Sequence, residues 1–339
     1  MKKTFPLFAL GLCAVAAHAQ TAALDTADAA QTRRQLLATG APAESYAGET
    51  DDLGVQTLLA PAARRHYFTV SADVQYFYND NLFNSRERHA TDVLVTTVEG
   101  AFAPDPYAVA GGQLAPRLGC RDEWYNYASL LDDNVRVVDY ANSTLVVTHP
   151  SVSAFDFMAK TIFADVAWTR ANWTLAAGYD FRWLVSQHSD DQFYREHVPH
   201  WGVQRWIPLD ARSGLALAYQ GDWRITHARQ FTPPFPGAPV PRTDENDRTD
   251  HSLIASYTHK VGTSGELTPY YRFQFTEFLG STDRRDTLHT LGLSFAWQLC
   301  PRSSVRLFAS YDWRESSSSS VGSYEKFNGG VGANLTFRF

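Results

Sequence analysis

The sequence predicts an all-β fold, a transmembrane up-and-down antiparallel β-barrel of twelve strands, with fourteen as the alternative count. Three observations predict it. The first is the C-terminus, FNGGVGANLTFRF, in which Phe327, Gly329, Val331, Ala333, Leu335 and Phe337 alternate with Asn328, Gly330, Gly332, Asn334, Thr336 and Arg338. Alternation at period two means a strand with a different solvent on each face. The second is that this pattern recurs from Tyr67 onward, with one face aliphatic or aromatic and the other accepting Asp, Arg, Gln and Thr. The third is that short and long connections alternate, as they do in barrels with short periplasmic turns and longer external loops.

Residues 1–19 read as a cleaved secretory signal peptide. Lys2 and Lys3 form the positive end, Phe5 to Ala16 the apolar core, and Ala17-His18-Ala19 the small-x-small cleavage site. Residues 20–65 are rich in Ala, Thr, Asp and Gln and read as a mobile periplasmic extension. The barrel then occupies 66–339. The chain has no run of eighteen or more apolar residues, so no helix is expected to span a membrane. The formal charge of −6 becomes more negative once Lys2 and Lys3 are removed, which argues against a nucleic-acid partner. Cys120 and Cys300 remain in the mature chain, and their spacing leaves open whether they pair.

The strands follow in order. The first sets Phe68, Val70, Ala72, Val74, Tyr76 and Tyr78 against Thr69, Ser71, Asp73 and Gln75. A polar loop, Asn79 to Ala90, leads to a second strand near 92–103, with Leu94, Val98 and Phe102 opposed to Thr97 and Glu99. Segment 159–169 sets Ile162, Ala164, Val166 and Trp168 against Thr161 and Asp165, and 173–185 sets Trp173, Leu175, Tyr179 and Trp183 against Asp180 and Arg182. Segment 197–208 is weaker. Segment 214–227 carries Asp222 and Arg224 on its polar face, and 266–278 carries Arg272. Strands at 250–260, 287–298 and 304–315 follow, the last with Arg306, Asp312 and Arg314; Lys326 falls on the polar face of the final strand. Trp168, Trp173, Trp183, Trp223 and Trp313 lie toward strand ends, as interfacial girdles require.

Parity sets the strand count. The strand ending near Ala103 and the one starting near Ala159 run the same way, so an odd number separates them. One candidate, 114–127, gives twelve; if 133–139 and 142–149 also span, the count is fourteen. Thr144 to Thr148 is short against the about nine to eleven residues a crossing needs. Twelve is therefore preferred, with 128–158 as a long external loop.

The polar faces nominate lumen-lining residues: Asp73, Glu99, Asp165, Asp180, Arg182, Asp222, Arg224, Arg272, Arg306, Asp312, Arg314 and Lys326. They serve either as an ion-paired wall or as charged rings that set selectivity, weakly because the signs are mixed. The Pro-rich loop 228–249, with Phe231 and Phe235, is the segment to inspect as a lid, against the plainer reading of a surface loop with no such role. Catalytic, metal and cofactor sites are not expected. His197 and His200 are three apart on a strand and so face opposite sides. His188 beside Asp190 and Asp191 is ordinary loop composition, and neither a Gly-x-Ser-x-Gly elbow nor a His-Glu-x-x-His motif occurs.

Val74 to Phe83, VQYFYNDNLF, is similar to the first strand of a poorly characterised porin-like family of outer-membrane β-barrels. The likeness covers 66–339 and implies an outer-membrane location and pore function, with no catalytic residues carried across. The terminal Phe339 resembles the assembly signal of bacterial outer-membrane porins, which implies the barrel-assembly machinery as a partner through the C-terminal strand. Outer-membrane lipids and small hydrophilic solutes are the other expected partners. The expected function is passive passage of such solutes. A non-conducting barrel serving surface binding or polysaccharide export is the alternative, and an outer-membrane hydrolase is the third reading.

Overall fold

A computed structural model describes residues 67–82, 84, 88–130, 136–139, 144–148, 156–228, 244–280, 283–318 and 322–339. The expected leader, the extension to residue 65 and most of the Pro-rich connection lie outside them. The strands are β1 (Phe68–Asn79), β2 (Thr91–Phe102), β3 (Tyr107–Val109), β4 (Gly112–Leu130), β5 (Arg136–Asp139), β6 (Thr144–Thr148), β7 (Phe157–Arg170) and β8 (Trp173–Ser186). They continue with β9 (Gln192–Pro208), β10 (Ser213–Ala228), β11 (Arg248–Val261), β12 (Gly265–Phe278), β13 (Arg285–Cys300), β14 (Ser303–Ser316) and β15 (Tyr324–Arg338).

Twelve of them close into one antiparallel barrel: β1, β2, β4 and β7 through β15 each pair with the next, and β15 pairs with β1. The short β3 adds a hairpin at the foot of β4. The two segments that would have made fourteen, β5 and β6, pair only with each other, which settles the count at twelve. Among the described residues there is no helix. The connections at 171–172, 209–212, 262–264 and 301–302 gather at one end with both ends of the barrel chain, where Phe68 and Phe339 exchange backbone hydrogen bonds of 3.2 and 2.8 Å. We call this the short-turn end and the opposite one the long-loop end. The expected strand 197–208 starts five residues earlier, at Gln192, so part of the expected 186–196 connection is strand.

The burial pattern is that of a barrel with lipid outside. In β1, Val70, Val74 and Tyr76 are 42, 43 and 46% exposed, while Asp73 and Gln75 between them are 4 and 0% exposed. A soluble protein buries the first set and exposes the second; this wall does the reverse around its circumference. Apolar surface this continuous is stable against hydrocarbon, where a closed barrel satisfies every backbone group of its strands.

A repeated tyrosine contact marks the outer wall toward the long-loop end. In five hairpins, an outward tyrosine on the first strand bonds a side chain on the second strand, two residues nearer the long-loop end than its register partner. The pairs are Tyr76 with Asp92, Tyr179 with His197, Tyr219 with His251 at 2.8 Å, Tyr271 with His289 at 2.7 Å, and Tyr311 with Glu325. Each satisfies a hydroxyl that would otherwise face an apolar medium without a partner.

Cys120 on β4 and Cys300 on β13 are both free and exposed. Their strands are not neighbours in the barrel. Residues 20–339, isolated without reductant, are therefore expected to take up two maleimide labels. Fewer than two by mass spectrometry would contradict this arrangement.

Candidate functional site

The lumen is polar toward one end and mixed toward the other, where an apolar cluster lies beside buried charges. The polar part is a cavity of about 1350 Å³. Its lining includes Pro104 to Pro106, Thr263, Ser264 and Arg338 at the short-turn end, and none of the connections at the other end. Nine of the twelve nominated residues line it: Asp73, Glu99, Asp165, Asp180, Arg182, Asp222, Arg224, Arg272 and Arg306. The other three, Asp312, Arg314 and Lys326, are buried in the wall nearer the long-loop end and do not line the cavity. There Lys326 Nζ lies 3.9 Å from Asp312 Oδ2, and Arg314 Nη1 lies 3.8 Å from Asp286 Oδ2.

The charges lining the cavity are mostly spent on one another. Arg306 on β14 reaches over β15 to β1, where both its terminal nitrogens donate to Asp73 at 2.7 Å. It passes over Gly332, its register partner; a Cβ there would stand 2.9 Å from Arg306 Nε. On the facing wall Arg182 pairs with Glu196, and Arg224 bridges Glu196 at 3.6 Å, Asp222 at 3.0 Å and Asp250 at 3.2 Å. Arg248 adds a 2.9 Å contact to Asp250. The lattice links β8 to β11 laterally, in a medium where an unmatched charge would be costly.

A third group joins β7, β8 and β9. Asp165, Gly178 and His200 are consecutive register partners. The missing side chain at Gly178 lets His200 Nε2 approach Asp165 Oδ1 to 3.2 Å; a Cβ there would overlap both. Asp180 completes a trio whose ligand atoms lie within 4.8 Å of one another, the one such grouping among the described residues that could hold a metal ion. Guanidiniums already face it, with Arg117 at 3.9 Å from Asp165 and Arg121 at 4.0 Å from Asp180. An added cation would have to displace these contacts. His197, by contrast, points outward to Tyr179, so the two histidines do occupy opposite faces.

Sequence reasoning missed Arg117, Arg121, Glu196, His200 and Asp250. Glu196 and His200 continue one inward-facing set once β9 is extended to Gln192. Asp250 lies on the polar face of β11, between Arg248 and Ser252. The two arginines sit in β4, where Pro116 and Gly119 blur the alternation.

Toward the long-loop end the inward residues of β1, β2, β4 and β7 to β9 are apolar, while β11 and β13 to β15 keep the buried charges Arg248, Asp286, Asp312, Arg314 and Lys326. Phe77, Val93, Val95, Tyr125, Phe157, Leu184 and Tyr194 form a fully buried cluster, with Tyr125 and Phe157 stacked at 4.4 Å. The first long connection folds onto it. Leu82, from that connection, is 3% exposed and belongs to the cluster. The segment Asn79-Asp80-Asn81 latches it in place. Asn79 Oδ1 accepts the Asn81 amide at 2.8 Å, Asp80 Oδ1 accepts the Phe327 amide at 2.6 Å, and Asn81 Nδ2 donates to the Glu325 carbonyl at 2.9 Å. Lys326 Nζ donates to Asn84 at 2.9 Å. On the far side Asp156, in the connection before β7, accepts the Tyr127 amide at 2.8 Å; burial raises its carboxyl above the usual carboxylate range. Among the described residues, the segment that covers the cluster is 79–82, with Asn84 beside it. Loop 228–249, the segment to inspect as a lid, lies largely outside the described residues.

Neither a family model nor a curated protein sequence matches this chain. Solved structures of similar fold do. An outer membrane channel from Pseudomonas putida F1 is 9% identical, with a TM-score of 0.49 over 84% of this chain and 100% of that one. The beta domain of the Bordetella autotransporter BrkA is 12% identical, with a TM-score of 0.42 over 79% and 99%. An anion-selective porin from Comamonas acidovorans is 10% identical, with a TM-score of 0.36 over 80% and 98%.

Proposed function

We propose that this chain is an outer-membrane, porin-like barrel that passes small hydrophilic solutes and rests in a capped state. The observation that carries the reading is the two-part lumen: a charged cavity of about 1350 Å³ at the short-turn end, stopped by the buried cluster beneath the Leu82 loop. The short turns and both ends of the barrel chain face the periplasm in this reading, and the long connections face outward. The cavity is then a periplasmic vestibule whose mixed charges hold water and polar solutes with weak preference for sign.

Magnitudes decide how often the cap opens. Exposing Leu82 costs about 2–3 kcal/mol, and each latch hydrogen bond adds about 1 kcal/mol. The closed state therefore dominates, and conduction follows displacement of the cap. The lumen reads as a conduit rather than a catalytic site because its carboxylates and guanidiniums are engaged with one another.

The test is single-channel recording of the refolded mature chain in planar bilayers, with a solute-swelling assay beside it. Brief, infrequent conductance steps and slow, size-limited swelling are expected. A large conductance that is always open would remove the cap from the account. A folded, heat-modifiable barrel that stays silent after the cap is weakened would favour the second reading, a barrel that presents its loops to an envelope partner. The completeness of the buried cluster is the observation on that side.

A further inference from the structure

The outer wall carries an unbalanced row of charge near the long-loop end. Lys160 on β7, Trp183 on β8, Arg195 on β9 and His227 on β10 are successive register partners. All four point outward: their inward neighbours Ala159, Arg182, Leu184, Tyr194, Glu196 and Thr226 are buried, and Arg195 and His227 are exposed. Strands are about 4.8 Å apart, so the long side chains of Lys160 and Arg195 flank one indole across about 10 Å. Among the described residues neither forms an ion pair, although Asp122 on β4 is the register partner of Lys160 on its other side.

The opposite sector differs. There the outward polar groups are acidic and already matched: Arg88 contacts Glu325 and Asp80, at 2.6 and 3.5 Å, and Asp92 and Glu325 accept from tyrosines. Resting on the membrane reading above, we propose that the β7–β10 sector is a docking surface for a phosphate-bearing lipid headgroup of the outer leaflet. The charge is complementary, the row lies on the long-loop side of the neighbouring Tyr179–His197 contact, with Arg195 two residues beyond His197 in β9, and the indole suits the boundary between acyl chain and headgroup. An unmatched cation on a lipid-facing wall is tolerated only near an interface, where an anionic group can meet it.

The experiment uses the full mature barrel in neutral nanodiscs, with insertion verified by heat-modifiable migration. The probes are a bis-phosphorylated glycolipid, its dephosphorylated form, and inorganic phosphate. Wild type is expected to retain the phosphorylated glycolipid. The Lys160→Gln/Arg195→Gln double variant is expected to bind it about thirtyfold more weakly, the effect of two surface cations. Arg205→Gln, on the outer wall near the short-turn end, is expected to bind as wild type does. Equal retention by the double variant, equal binding of the dephosphorylated glycolipid, or equal affinity for inorganic phosphate would overturn the proposal. A chain that fails to insert overturns the membrane reading instead, and the heat-modifiable migration separates that failure from loss of lipid.

Discussion

The Asn81→Ala/Leu82→Ser variant is expected to open the barrel, raising its open probability in planar bilayers by about a hundredfold to a thousandfold. The estimate adds about 2–3 kcal/mol for burial of Leu82 to about 1 kcal/mol for the hydrogen bond from Asn81 to the Glu325 carbonyl. Both are contacts of the closed state and are absent once the loop lifts. The substitutions leave the strands untouched, so heat-modifiable migration should not change. Swelling rates for small sugars should rise in parallel. If Tyr125→Ser and Phe157→Ser also open the barrel, the cluster is the barrier. If they do nothing while the loop variant conducts, the barrier is the loop alone. Conductance that is identical in all these variants would show that the cap does not control the path.

The second large effect is on stability. Arg306→Ala leaves Asp73, 4% exposed, without its bidentate partner inside the wall. Removing one half of a buried ion pair costs about 3–5 kcal/mol, most of it the desolvated charge left behind. Urea unfolding of the refolded barrel, followed by heat-modifiable migration, should show a loss of that size. The Asp73→Leu/Arg306→Met variant should recover most of it, because neither charge then remains to be solvated. If the single and double variants lose stability equally, the pair acts through packing rather than charge.

Much of this was written in the chain. The order and alternation of the strands and the inward set from Asp73 to Arg306 follow from period two, and the odd strand between Ala103 and Ala159 follows from the parity of strand directions. What escaped depends on contacts between strands distant in sequence. No local pattern shows that Gly178 is the gap through which Asp165 meets His200, or that Gly332 clears the way for Arg306. The apolar plug was hidden for a related reason. Phe77, Val93 and Val95 break the polar face of their strands and read as noise until the Leu82 loop is seen to cover them. The segment Asn79 to Leu82 stood out only as part of a family likeness, and its role as a latch depends on β15, which lies at the other end of the chain.

The pairing of β1 with β15 has a consequence for biosynthesis. A chain exported N-terminus first presents β1 as a bare edge through the secretion of every later strand. Its partner on that edge, β15, is the last of the described strands to arrive. An unpaired apolar edge held open that long is a template for aggregation. Closure of the wall therefore waits for β15, and loss of that strand leaves a seam along the whole height of the wall.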